Sequence, residues 1–284
     1  MEDRIEPLIE ERAPWLFRRG LLPALGKPVL DKLLGYQRTI ELGEELEPLS
    51  AEAMMVELQG MLAQNVVSKG LSHIPASGAA LIVANHPTGI ADAIMLNHAL
   101  SSIRSDAYYF ANRDILRVMP QFETMIAPVE WRVDKRSHAK MRETMAFTRR
   151  AVDAGRLGVI FPSGRLAKRR GIRLYERPWM ASAAMIARKF DLPVIPVNIR
   201  SRNSALFYLF DLLHPTLRDI TLFYETLNKG RQPYHITVGE PISAAALPRN
   251  SDDAIEVLRR ETLRLGDPDL TLVSRKMRPA SALF

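Results

Sequence analysis

The segment AALIVANHPTGIADAIML (79–96) holds residue types that general acid–base chemistry requires. An apolar run leads into Asn85-His86-Pro87-Thr88-Gly89, and a helical pattern opens near Ile90. This order places His86 in the loop at the carboxyl end of a strand, where α/β proteins build their sites. Pro87 and Gly89 bend and fix the loop. Asp92 falls in the first turn of the following helix, within reach of His86. A carboxylate bonded to one imidazole nitrogen orients the ring and supports its positive form. The other nitrogen is then free to take a proton from an attacking hydroxyl. A lone histidine is more often structural; the paired aspartate and the Pro/Gly loop bring the catalytic reading level with that one.

Such residues need a rigid frame. Short β-branched or apolar runs, which predict strands, fall at 65–71, 79–85, 106–112, 125–133, 157–163, 192–200, 219–225 and 235–241. Helical patterns fit between them at about 91–103, 113–119, 137–154, 177–190 and 251–265. The alternation predicts an α/β domain: a central, mostly parallel or mixed sheet flanked by helices, over 65–284, ending in a C-terminal helix and tail. Residues 1–64 read as a separate helical segment. Trp15, Leu16, Phe17, Leu21, Leu22, Leu25, Val29, Leu30, Leu33 and Leu34 recur at helix-like spacing, interleaved with Arg18, Arg19, Lys27, Lys32 and Arg38. Pro14, Pro23 and Pro28 divide it into short pieces. The pattern suits a helix lying in a membrane interface and equally an amphipathic helix packed on the domain. A further helix is expected over 50–64, with Ser50 as N-cap.

Composition narrows the chemistry. The chain has 284 residues, 47% of them hydrophobic, and no cysteine. Disulfides, thiolate metal sites and a thiol nucleophile are thereby excluded. His73, His98, His138, His214 and His235 lack ligand-like spacing, so neither metal nor cofactor is expected. The N-terminus has no secretory pattern, and no run of about eighteen apolar residues suggests a spanning helix. Ala205-Leu206-Phe207-Tyr208-Leu209-Phe210, with Leu212 and Leu213, suits buried core or a surface dipping into a bilayer. The net charge is +7, yet Arg132 to Arg177 alone holds fourteen Lys/Arg against four Asp/Glu. A solvated face is the plain reading of that excess. The functional ones are an anionic membrane surface, a phosphorylated substrate or an acidic carrier protein. Nucleic acid is disfavoured, because no recognition motif or aromatic interleaving accompanies the charge.

NHPTGIAD resembles the first motif of the glycerolipid acyltransferase superfamily, which implies that His86 and Asp92 form a catalytic dyad. Five residues intervene where four are usual, which resembles a hemolysin-like branch, some of whose members make ornithine or related aminolipids. MIAPVEWRVDKRSHAK (125–140) resembles the second motif and makes Arg132 and Arg136 candidates for holding the acceptor's phosphate. GVIFPSGR (158–165) resembles the third, typically Phe-Pro-Glu-Gly-Thr-Arg. Phe161, Pro162 and Gly164 match, Ser163 stands in the place of the Glu, and Arg165 comes one residue early. LPVIPVNI (192–199) and HITVGEPI (235–242) resemble the fourth motif and the closing strand, so the resemblance runs from about 65 to 245.

The resemblance implies acyl transfer from a thioester of coenzyme A or acyl carrier protein to a hydroxyl of a lysophospholipid or related lyso-lipid. Membrane lipids would be partners, at the cytoplasmic face, with no cofactor. Ser163, Gly164 and Arg165 would join the arginines in binding the acceptor. Lyso-aminolipid and glycerol-3-phosphate acceptors are alternatives, as are a non-catalytic membrane-binding module and a lipid hydrolase. Backbone N–H groups near Gly164 or Gly89 are candidate oxyanion donors. Ser163 sits outside a Gly-x-Ser-x-Gly elbow, so no covalent acyl-enzyme is expected. The Ser163 replacement removes a carboxylate for substrate hydroxyls, which favours an anionic lyso-lipid over bare glycerol-3-phosphate.

Overall fold

The computed structural model of the protein describes residues 1–17, 21–130, 135, 137–171 and 173–266. The end of the expected 125–133 strand, Arg132, Arg136 and the C-terminal tail lie outside the described residues.

Eight strands were expected from the sequence, and seven form. They are β1 (Val66–Lys69), β2 (Ala80–Ala84), β3 (Tyr108–Asn112), β4 (Ile126–Val129) and β5 (Leu157–Ile160). A small hairpin, β6 (Lys168–Arg170) and β7 (Arg173–Tyr175), precedes β8 (Val194–Arg200) and β9 (Tyr234–Val238). The hairpin stands apart from the main sheet, whose order is β1-β9-β8-β2-β5-β3-β4. All its pairings are parallel except β8 with β9, so the sheet is mixed. β2 lies at its centre and is buried along its whole length, as a strand covered on both faces must be.

The helices are α1 (Glu2–Arg12), α2 (Leu21–Leu34), α3 (Tyr36–Leu46), α4 (Ala51–Leu62), α5 (Ile90–Ser101), α6 (Asp114–Val118), α7 (His138–Asp153), α8 (Ser182–Lys189), α9 (Ala205–Leu213), α10 (Pro215–Asn228) and α11 (Ser251–Arg264). One sheet face packs Met54 and Met55 of α4 and Ile94 and Leu96 of α5 against Ile82 and Val159. The other packs Ala183 and Ile186 of α8 and Ile255 and Leu258 of α11 against Leu81 and Val83. Ser50 caps α4, accepting a bond from Ala53 N at 3.3 Å.

Two expectations need correction. Residues 219–225 are helical, within α10, rather than a strand. The β-branched and aromatic composition of DITLFYE misleads. Pro215 opens the helix at its first position, and His214 caps it by accepting from Thr216 N at 3.2 Å. Leu217, Ile220 and Tyr224 then fall on one helical face toward a third apolar cluster with Ala13, Leu34 and Phe210. Helical period prevails over strand propensity. The second correction concerns α2, whose backbone runs through both Pro23 and Pro28; only Pro14 marks a break between helices.

The N-terminal helices join the domain. Ile5, Leu8, Ile40, Leu42 and Leu46 are buried. Outward, Val29 and Leu33 of α2 and Leu209, Leu212 and Leu213 of α9 remain exposed, Val29, Leu212 and Leu213 by 64–67%. Among the described residues no helix is long and apolar enough to cross a membrane.

Candidate active site

β2 delivers Asn85 and His86 to the carboxyl end of the sheet. The Asn85 side chain extends the strand ladder: its Nδ2 donates to Ile199 O at 2.8 Å, and Ile199 N donates to its Oδ1 at 2.7 Å. His86 O accepts from Ala167 N at 2.9 Å, which ties the loop to the segment entering β6. The imidazole stacks on Phe161, with centroids 4.4 Å apart and 25° between planes. The loops resembling the first and third motifs therefore meet at His86.

Asp92, in the first turn of α5, is fully buried, and its Oδ2 lies 2.9 Å from His86 Nδ1. The pair is at ion-pair distance, but Nδ1 lacks the alignment of a linear hydrogen bond; bonds of this kind often tighten only when substrate is present. The rest of the carboxylate is held firmly. Thr88 N donates to Oδ2 at 2.8 Å, Gly89 N at 3.0 Å, and the Thr88 hydroxyl donates to Oδ1 at 2.5 Å. The Thr88 hydroxyl also lies 2.6 Å from Tyr234 OH. Burial first, then the Asp92 charge, push the Tyr234 phenol well above its ordinary pKa of 10.0, which keeps it a neutral donor. Nearby, buried Lys229 bonds Glu225 at 2.7 Å, Asn203 Oδ1 at 2.6 Å and Arg202 O at 3.2 Å. Burial lowers the Lys229 pKa, while Glu225 and Asp92 favour its charged form.

Ser163, Gly164 and Arg165 sit on the loop beside the dyad. Ser163 is buried and its hydroxyl donates to Arg165 O at 2.8 Å; Arg165 is exposed. Arg132 and Arg136 lie outside the described residues. Of the N–H groups near Gly164 and Gly89, those of the two glycines themselves are engaged, Gly164 N by Phe161 O at 2.9 Å and Gly89 N by Asp92. Gly164 has φ +57° and Gly89 φ +107°. Both values favour glycine over any other residue, so these glycines shape the loops.

Glu176, just after β7, went unremarked in the sequence. It is half-buried. Its Oε2 accepts from His86 N at 3.3 Å and its Oε1 from Trp179 Nε1 at 3.0 Å. Burial raises its pKa above the ordinary 4.5, although the Trp179 and His86 bonds pull the other way. One signal could have found it: Glu176 is the single acid among the six Lys and Arg of 165–177. Among the described residues no group of His, Asp and Glu could hold a metal ion.

An imidazole beside a buried carboxylate, at the carboxyl end of a mixed α/β sheet, is an arrangement able to take a proton from a hydroxyl. Residues 65–200, which run from β1 to the end of β8, match the family model described as Acyltransferase. The resemblance read from the motifs is borne out at that level. Among solved structures, the chain is similar to the crystal structure of the 1-acyl-sn-glycerophosphate (LPA) acyltransferase PlsC from Thermotoga maritima. The two share 16% identity with a TM-score of 0.49, over 85% of this chain and 97% of that one. No curated protein matches the chain.

Proposed function

We propose that this acyltransferase moves a fatty acyl group from an acyl thioester, on coenzyme A or acyl carrier protein, to the hydroxyl of a lyso-lipid. The observation that carries the mechanism is the 2.9 Å approach of His86 Nδ1 to buried Asp92. It leaves Nε2 to take the proton of the acceptor hydroxyl as that oxygen attacks the thioester carbonyl. The thiolate then leaves, and the imidazolium can return its proton to it. Asp92 stabilises the imidazolium in between.

The enzyme acts on lipid at a membrane surface, on the cytoplasmic side. Exposed Val29, Leu33, Leu209, Leu212 and Leu213 favour a shallow apolar contact, and the basic stretch from residue 132 to 177 favours anionic lipid. Arg132, Arg136 and Arg165 are the candidate cations for the acceptor's phosphate, with Ser163 and Gly164 beside them.

The test is His86→Ala, assayed by thiol release with a 1-acyl-glycerol-3-phosphate acceptor. A removed general base lowers turnover by about 10²–10⁴-fold. Wild-type turnover in the folded variant would refute the role of His86. Thiol release that continues without acceptor would instead mark a thioester hydrolase.

A further inference from the structure

The third-motif loop carries Ser163 where a carboxylate was expected, yet the site does not lack one. Glu176 arrives from the far side of the β6–β7 hairpin and seats its carboxylate against the main chain of His86. Its surroundings are unusual for a carboxylate that is only half exposed to water. Among the described residues no Lys or Arg pairs with it, although six flank it between residues 165 and 177. Its hydrogen-bond donors are the His86 N–H and the Trp179 indole. A carboxylate has about four lone-pair positions, so accepting capacity remains. Burial already raises its pKa, which means the anion is under-solvated and gains from any further donor. A partly buried charge without a counter-ion is costly to the fold. Such a group beside a catalytic dyad is a candidate for substrate recognition.

We propose that Glu176 selects the acceptor: its carboxylate receives a hydrogen-bond-donating headgroup, hydroxyl or ammonium, of the lyso-lipid whose reacting hydroxyl faces His86. This rests on the acyl-transfer reading above. It also reverses one expectation from the sequence, because the carboxylate that Ser163 gives up is supplied by Glu176, and recognition of substrate donors is retained.

The experiment uses the full-length protein, one acyl thioester, and three acceptors that differ only in the head: 1-acyl-glycerol-3-phosphate, 1-acyl-glycerophosphoethanolamine and 1-acyl-glycerophosphoglycerol. The first has no carbon-borne donor besides the reacting hydroxyl; the others add an ammonium and two hydroxyls. Wild type should favour the second or the third in kcat/KM, and which one it favours identifies the donor. Glu176→Gln should raise the KM of that acceptor on the order of ten- to a hundredfold, as expected for losing a hydrogen bond to a charged group, while the KM of the thioester holds. Glu176→Asp keeps the charge but withdraws it by one methylene, and should fall between the two. If Glu176→Gln does not fold, the Glu176→Asp series carries the same comparison.

Several results overturn the proposal. One is a wild-type preference for 1-acyl-glycerol-3-phosphate. Another is an unchanged acceptor ratio in folded Glu176→Gln. The third is an equal fall in kcat for every acceptor with KM unmoved, or unfolding of both variants, which would mark a residue that only holds the His86 loop. Failure of wild type to acylate any of the three overturns the acyl-transfer reading itself, and the proposal with it.

Discussion

Replacing Asp92 with Asn isolates charge from shape at the dyad. The side chain is fully buried and has three donors, Thr88 N and Gly89 N at Oδ2 and the Thr88 hydroxyl at Oδ1, with His86 Nδ1 at 2.9 Å from Oδ2. An amide oxygen in the place of Oδ2 keeps the two backbone bonds that fold the loop. The amide nitrogen then meets Thr88 Oγ1, which can turn to accept because its contact with Tyr234 OH works in either direction. Every polar group stays paired, and the loss is that of charge-assisted over neutral hydrogen bonds, about 1–2 kcal/mol. For a chain of this size that lowers the melting temperature by roughly 2–8 °C. Catalysis loses more. At an effective dielectric of about 20, a unit charge 2.9 Å away stabilises an imidazolium by roughly 6 kcal/mol. The amide dipole restores part of this, which leaves a fall in kcat of about 10²–10⁴-fold. The assay pairs thiol release under saturating acceptor with a thermal melt of the same preparation. Activity within about threefold of wild type in a folded Asp92→Asn protein refutes the dyad, whatever its melting temperature.

Two further outcomes are expected. Leu212→Glu combined with Leu213→Glu should weaken partition onto anionic liposomes by about 10²-fold, from roughly 1.5 kcal/mol per leucine removed from the lipid contact; equal co-sedimentation of variant and wild type excludes α9 as a membrane contact. Glu176 should make stability depend on pH. Its folded pKa is raised, so the unfolded chain ionises first, and the stability contributed below the ordinary value is lost as pH rises through the folded one. Melting temperatures taken from pH 4 to pH 8 should therefore fall for wild type relative to Glu176→Gln; a difference that stays constant with pH refutes the buried-anion argument.

The sequence exposed the parts of this fold that depend on local pattern. β2 reads as a buried strand because ALIVA is apolar throughout, and α4 begins where Ser50 offers a hydroxyl to Ala53 N. The position of His86 followed from a strand running into a Pro/Gly loop, and Asp92 from its place in the next helical turn. What stayed hidden depends on contacts distant in sequence. Tyr234 reaches Thr88 across 146 residues and Glu176 reaches His86 across 90, and no periodicity encodes either. The error at 219–225 has a different origin. Ile220 and Tyr224 satisfy strand composition and helical spacing together, and the packing of α9 against α10 decides between them. The bonds made by Gly89 N and Gly164 N stayed hidden for a third reason, since a glycine with positive φ looks the same in sequence whether its N–H is free or already bonded.

The extra residue between His86 and Asp92 shows how the loop keeps its chemistry. Five intervening residues do not push the carboxylate away from the ring, since the separation is 2.9 Å. The added length is folded back on Asp92. Thr88 and Gly89 turn consecutive N–H groups onto the same carboxylate oxygen, and Gly89 reaches the required backbone at φ +107°, a region open to glycine and closed to most side chains. Space is not what demands glycine there, because a Cβ would meet Leu166 at 3.4 Å and Leu222 at 3.6 Å, ordinary contact distances. The constraint is the backbone angle. The Thr88 hydroxyl then bonds the other carboxylate oxygen and leans on Tyr234 of β9, which links the loop to the far half of the sheet. The loop thus gives Asp92 three donors beside the imidazole, which fix the carboxylate in place against the ring.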